Sequence, residues 1–320
     1  MYLNAIAHYY PADILPNAHF AALYDVTPDW LETRTGIRER RKANPQENTQ
    51  TMAVEALRCL QHQAPYDLSQ VDLIVAATYS PHDTVATLGH ALQHALPVGE
   101  IPVVTITSAC SSLLNAIEIV QGYFAMGKAQ TALVVVAEHN TRYANEADIK
   151  SGHLWGDGAA AMLFTQARHS ARDLTLVDLI TGGAAHVGKN LQGVKLVPGG
   201  EGITMPNGRD VFIHATQYMG RITEQLLHKH HKSVADLRYF IPHQANLRIS
   251  RKVAEDLHLP LDKLVSNIQY LGNTGCAGCG IALSEVWDDL QPGDLVALSV
   301  FGGGYSYGAA LLSWDTEHGT

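Results

Sequence analysis

One pattern occurs twice in this chain, and that repetition restricts the fold more than any composition figure. In the first half VDLIVAAT (71 to 78), IPVVTIT (101 to 107) and TALVVVAE (131 to 138) are apolar, β-branched runs of strand length, as expected of strands buried on both faces. Between the last two, SSLLNAIEIVQGYFAMG puts Leu113, Leu114, Ile117, Val120 and Phe124 at helical spacing, with Gly127 as its stop. The second half repeats the order: LRYFIPHQ (237 to 244), LVSNIQY (264 to 270), a tight small-residue turn into GCAGCGIALSEVWDDL, then DLVALSVFG (294 to 302). Each half closes on a similar phrase, GDGAAAMLF or YGAALLSW.

Strands alternating with helices in two passes predict an α/β protein with two related, largely parallel sheets covered by helices. The halves are expected at 1–165 and 166–320. Right-handed crossovers put the functional turns at one end of each sheet, so Cys110, His243 and Asn273 are all expected at carboxyl ends of strands, converging at the junction of the halves. The glycine-rich stretch from about 181 to 210 lacks a period and predicts a loop or lid. TPDWLETRTGIRERRKA is a basic, partly helical surface segment near a mouth.

With 46% hydrophobic and 17% charged residues the chain can bury a large core. A net charge of −9 disfavours a general nucleic-acid binder, because phosphate needs a basic field. The N-terminus lacks a signal-peptide pattern and no apolar run is long enough for a membrane helix, so no membrane association and a cytoplasmic address are expected. Four cysteines in 320 residues do not make a disulfide framework.

Cys110, in VVTITSACSSLLNAI, stands between a strand and the first turn of a helix. Backbone N–H groups and the helix dipole favour an anion there, which predicts a lowered thiol pKa and a nucleophilic thiolate. His243 follows the strand LRYFI and is expected to donate from Nε2 to a thioester oxygen, given a neighbour that holds its other nitrogen. Asn273, in YLGNTG, adds a second neutral donor. Two neutral donors beside a thiol polarise a carbonyl and stabilise enolate charge without quenching the nucleophile.

These residues, together with TPDWLETRTGIRER, SACSS, WGDGAAA, MPNGRDVF, PHQANLRI, GNTG and FGGGYSYGAA, resemble the β-ketoacyl-acyl-carrier-protein synthase III family of the thiolase superfamily nearly end to end. The resemblance implies a layered αβαβα fold of two pseudo-duplicated halves. It implies that Cys110 is acylated, that His243 and Asn273 bind the thioester carbonyl, and that backbone N–H groups of Cys110 and of Gly302 to Gly304 form an oxyanion hole. It further implies that Trp30 and Arg34 hold the adenine end of coenzyme A, that Gly208, Phe212 and Asn246 line the pantetheine tunnel, and that the chain is a homodimer. Substrates would be coenzyme A and acyl-carrier-protein thioesters in ping-pong Claisen chemistry, with no metal or redox cofactor.

Arg248, Arg251 and Lys252 share one helix face and offer an acidic acyl carrier protein a landing site. Thr84 falls where relatives carry an aromatic that closes the acyl pocket, and a smaller residue there leaves room for a longer chain. Lys150 is the nearest counterpart of a family arginine at the coenzyme A phosphates. Cys276 and Cys279 replace the usual small residues after Asn273; zinc wants four ligands and no second pair exists, so helix packing is the expected role. These departures keep open a specialised ketosynthase of alkylresorcinol or cyclohexanedione type, and an acyltransferase to oxygen or nitrogen. The non-enzymatic alternative, an acyl-binding partner subunit, is disfavoured by the presence of Cys110, His243 and Asn273 together.

Overall fold

The apolar runs pair into one sheet. In the computed structural model, which describes residues 1–63 and 66–315, nine strands build it: β1 (Tyr2–Tyr9), β2 (Leu73–Ala77), β3 (Val103–Ile106), β4 (Thr131–His139), β5 (Asp157–Thr165), β6 (Leu174–Gly183), β7 (Leu237–Pro242), β8 (Leu295–Gly302) and β9 (Ser306–Ser313). Their order across the sheet is β7-β8-β9-β6-β1-β5-β4-β2-β3. The expectation of two largely parallel sheets needs correction. Only β2 with β3, β2 with β4, and β7 with β8 run parallel; the other pairings are antiparallel. The reason is connection length: β8 turns back into β9 through Gly303 to Tyr305, too short for a crossover. Strands from before and after residue 165 meet where Tyr2 and Leu3 of β1 pair with Thr175 and Leu174 of β6.

Six helices matter for the site: α1 (Pro28–Thr35), α2 (Thr49–Gln63), α3 (Ser112–Ala125), α4 (Gly208–Lys229), α5 (Leu247–Asp256) and α6 (Gly278–Glu285). Leu113, Leu114, Ile117, Val120 and Phe124 of α3, with Ile281, Ala282 and Leu283 of α6, are buried among side chains from both halves of the sheet. Met52, Ala56, Leu57 and Leu60 of α2 cover one outer face, and Met219, Ile222 and Leu226 of α4 with Val253 of α5 cover the other. The result is helix, sheet, helix, sheet, helix, with the curved sheet wrapped round the α3–α6 layer.

One predicted strand is absent. LVSNIQY supplies a single bridge from Leu264 to Phe240 and then a short helix, Ile268–Leu271. Asn267 turns the chain there, its backbone N–H donating to Gln244 Oε1 and its Nδ2 to Glu285 Oε2, both at 3.1 Å.

Candidate active site

Cys110, His243 and Asn273 border one cavity of about 360 Å³, whose remaining wall is mostly apolar: Leu191, Leu196, Ile203, Val211, Met219 and Phe301 among others. Cys110 follows β3 and His243 follows β7, the carboxyl ends expected for them. Asn273 follows no strand; it is held from the opposite side, by backbone bonds to the segment before β5.

Cys110 sits before Ser111, the N-cap of α3. Ala109 precedes it at φ 49°, a left-handed conformation that a residue with a Cβ rarely adopts. Such strain persists only where the surroundings enforce it. Here Ser306 Oγ donates to Ser108 O at 2.9 Å, tying the turn to β9. Gly302 lies so close that a Cβ on it would stand 2.8 Å from the Cys110 nitrogen. Only glycine lets the end of β8 lie against the cysteine turn.

The expected lowering of the Cys110 pKa does not survive the structure. Burial first, and the buried Glu138 carboxyl second, push the thiol up to about 12, against a smaller favourable hydrogen bond from the Gly303 backbone. A helix start supplies a local favourable field, but desolvation is set by the whole fold and here outweighs it. The resting group is the thiol. Gly302, Gly303 and Gly304 all line the cavity, and Gly304 has φ 93°.

His243 is anchored by its backbone N–H, which donates to Ser299 O in β8 at 2.8 Å. Burial pulls its pKa down to about 4, so the ring is neutral at physiological pH. The neighbour expected to hold its second nitrogen is missing among the described residues: Nδ1 is buried without a protein partner. No acceptor therefore draws the ring proton to Nδ1, which favours the tautomer that carries it on Nε2.

Asn273 is fixed at both ends. Its N–H donates to Leu154 O at 2.8 Å and its carbonyl accepts from Gly156 N at 3.0 Å and Asn140 Nδ2 at 3.1 Å. Its side-chain oxygen accepts from Gly275 N at 3.0 Å. That bond identifies the oxygen end of the carboxamide and leaves Nδ2 as the donor available to a ligand.

Trp30, Arg34, Gly208 and Asn246 line a surface cleft, together with Lys150 and Arg248, and Met205 belongs to both cleft and cavity. Pro28 at the start of α1 and Thr27 Oγ1, accepting from Trp30 N at 3.2 Å, set the α1 N-terminus. The Arg34 guanidinium already lies 3.8 Å from the Trp30 ring centroid. Asn246 caps α5 through Oδ1, which accepts from Arg248 N at 2.9 Å, and its Nδ2 donates to Arg34 O at 3.3 Å.

Phe212, expected in the tunnel, is absent from both linings and packs instead against the apolar cluster beneath α4. Thr84, expected in the acyl pocket, is exposed and lines no part of the cavity of this chain. Asp83 accepts from Val85 N and Ala86 N at 2.7 and 2.9 Å, which folds that loop outward. Tyr79, earlier in the same loop, lines the cavity. The basic stripe also divides. Arg248 and Arg251 line a groove with Arg38, whereas Lys252 is paired with Glu255 at 3.3 Å and Asp256 at 2.8 Å.

Sequence reasoning misses Glu138. It stands next to last in β4, after an apolar run, yet is fully buried, and it accepts from Thr78 Oγ1 and Ser80 N, each at 3.1 Å, from Ser80 Oγ, and from Cys276 Sγ at 2.9 Å. The one available sign is an acidic residue terminating VVVAE, where strand ends are more often solvated. Cys279 is likewise buried, its sulfur 3.8 Å from Ile241 O.

A nine-stranded mixed sheet wrapped round two buried helices, with cysteine, histidine and asparagine on one cavity, defines a thiolase-like enzyme fold. The family model for 3-oxoacyl-[acyl-carrier-protein] synthase III matches residues 104–183, and the model for its C-terminal part matches 227–314. The β-ketoacyl-[acyl-carrier-protein] synthase III of Thermosynechococcus vestitus is 34% identical over 95% of this chain and 95% of its own. The protein named β-ketoacyl-[acyl-carrier-protein] synthase III 2 from Deinococcus radiodurans is 32% identical over 97% and 93%. Among solved structures, the 3-oxoacyl-[acyl-carrier-protein] synthase III of Aquifex aeolicus superposes with a TM-score of 0.90 at 30% identity, covering 98% of this chain and 99% of that one. The priming β-ketosynthase of a polyketide biosynthetic pathway gives 0.86 at 28%, covering 98% and 96%. This chain belongs to the β-ketoacyl-acyl-carrier-protein synthase III family.

Proposed function

We propose that the chain is a condensing acyltransferase that joins a Cys110-bound acyl group to a malonyl or β-ketoacyl thioester. The observation that carries this reading is one apolar cavity with the thiol, the neutral imidazole, the available carboxamide N–H and the Gly302–Gly304 backbone on its wall. In the first half-reaction the Cys110 sulfur attacks the thioester carbonyl, which the neutral His243 ring polarises, its proton goes to the departing thiolate, and an acyl-enzyme remains. In the second, a malonyl thioester loses carbon dioxide. The electron pair of the broken bond becomes an enolate, whose oxygen accepts from His243 Nε2 and Asn273 Nδ2. Its carbon attacks the Cys110-bound carbonyl, the oxyanion rests on backbone N–H groups of Cys110 and Gly304, and collapse releases the β-ketoacyl product and Cys110 thiolate, which regains a proton.

The reaction so written consumes no metal or redox cofactor. The cleft at Trp30, Arg34, Lys150 and Arg248 suits a coenzyme A thioester, with an aromatic face for a purine and cations for phosphate. Arg248 and Arg251 suit an acidic acyl carrier protein. The half-exposed edge strand β3 suits pairing with a second copy of the chain. Among the described residues no helix is long and apolar enough to cross a membrane, and a cytoplasmic address fits the reaction.

The apolar lining favours a second reading within the same chemistry, a specialised ketosynthase that takes an acyl chain longer than acetyl. The test is carbon dioxide release from a malonyl thioester by acyl-loaded enzyme, with coupled formation of a β-ketoacyl product. Acyl transfer to an oxygen or nitrogen acceptor without carbon dioxide would replace condensation by simple transfer.

A further inference from the structure

Glu138 lies behind the cavity wall and has no part in the two half-reactions as written. Its carboxyl gathers the loop after β2 through Thr78, Tyr79 and Ser80, and the turn after Asn273 through Cys276 Sγ at 2.9 Å. Cys276 follows Gly275, whose N–H fixes the Asn273 oxygen. Gly275 is packed so closely that a Cβ on it would stand 2.9 Å from Glu138 Cγ and 2.4 Å from the Tyr79 hydroxyl. A buried acid, a thiol and one backbone N–H thus form an unbroken line to the carboxamide.

We infer that Glu138, acting through Cys276 and Gly275, is a positioning residue for the Asn273 carboxamide, and that it serves the carbon–carbon bond-forming half-reaction rather than acyl loading. The inference rests on the role proposed for Asn273. Loading needs the thiol, the imidazole and the oxyanion donors, none of which the Glu138–Cys276 bond holds directly. Decarboxylation needs the carboxamide N–H at the thioester oxygen, where a displacement of a fraction of an ångström is costly. Cysteine at 276 is suited to the task because it fits the tight helix start and still donates.

The experiment separates the half-reactions. Loading is read as the rate of acyl adduct formation from acetyl- and octanoyl-coenzyme A by intact mass; condensation is read as carbon dioxide release when loaded enzyme meets malonyl-acyl carrier protein. Cys276→Ala is expected to slow carbon dioxide release on the order of tenfold while loading stays within about twofold, and Cys276→Ser, which keeps a donor, to restore most of the loss. If Cys276→Ala does not fold, Glu138→Asp, with its carboxylate drawn back by one methylene, is expected to give the same split. Equal loss in both half-reactions, or no loss in either, overturns the inference while leaving the condensing reaction intact. Wild-type enzyme that loads but releases no carbon dioxide overturns the condensing reading and this inference with it.

Discussion

Replacing Glu138 by glutamine gives a stability difference that should grow with pH. Burial raises the carboxyl from its ordinary 4.5 to about 7, in spite of donors from Cys276, Ser80, Tyr79 and Thr78. Below pH 4.5 both folded and unfolded chains carry the proton and the group costs nothing. From 4.5 upward the unfolded chain ionises while the folded one holds its proton, so wild-type stability falls until the pH passes about 7. The interval from 4.5 to about 7, at about 1.4 kcal/mol for each pH unit, makes that loss about 3 kcal/mol. The amide that Glu138→Gln introduces does not titrate. Its oxygen still accepts from Cys276, and the Ser80 and Thr78 hydroxyls can turn to accept from its nitrogen. Urea unfolding of both proteins from about pH 4.5 to 8 is the assay, and the quantity is the variant's stability minus the wild type's. It should rise by about 3 kcal/mol across the window, whatever constant offset the amide introduces. A flat or falling difference would mean that the folded carboxyl ionises without penalty, and would refute the assignment of Glu138 as a desolvated acid.

Three further outcomes follow from the packing. Gly156→Ala places a Cβ 1.8 Å from Leu271 O; thermal unfolding should report a loss of about 2 kcal/mol or more, and condensation should fall further than stability because Gly156 N also holds the Asn273 carbonyl. Reversing Arg251, which lines the groove but not the coenzyme A cleft, should slow the reaction with carrier-bound substrate about tenfold or more while sparing coenzyme A thioesters, whereas reversing Lys252, already paired with Glu255 and Asp256, should change little. Because His243 is pulled down to about 4, loading measured from about pH 8 to 5 should show no loss from imidazole protonation near the usual 6.5.

The parts of this site that are legible in the sequence are those fixed by neighbours along the chain. The apolar runs at 71 to 78 and 131 to 138 form strands because a strand inside a covered sheet buries both faces of such a run, and SACSS reads as a strand-to-helix turn because small residues are needed there. Parallel pairing throughout is not legible in the same way, because which strand lies beside β1 depends on contacts between residues far apart in the chain. The Cys110 pKa departs from expectation for a related reason: the helix start is local, but the burial that outweighs it comes from the whole fold. Glu138 is hidden in the sequence because its donors come from two separate segments that meet only in the folded chain. Thr84 shows the converse limit. A resemblance locates the loop but not the direction in which Asp83 turns it.

The most direct test of the account is the site of acylation. Wild-type protein mixed with an acyl-coenzyme A should gain the mass of one acyl group on the peptide that carries Cys110, Cys110→Ala should gain none, and a malonyl thioester should discharge the label with release of carbon dioxide. An adduct that survives Cys110→Ala, or no adduct with any chain length, would contradict it.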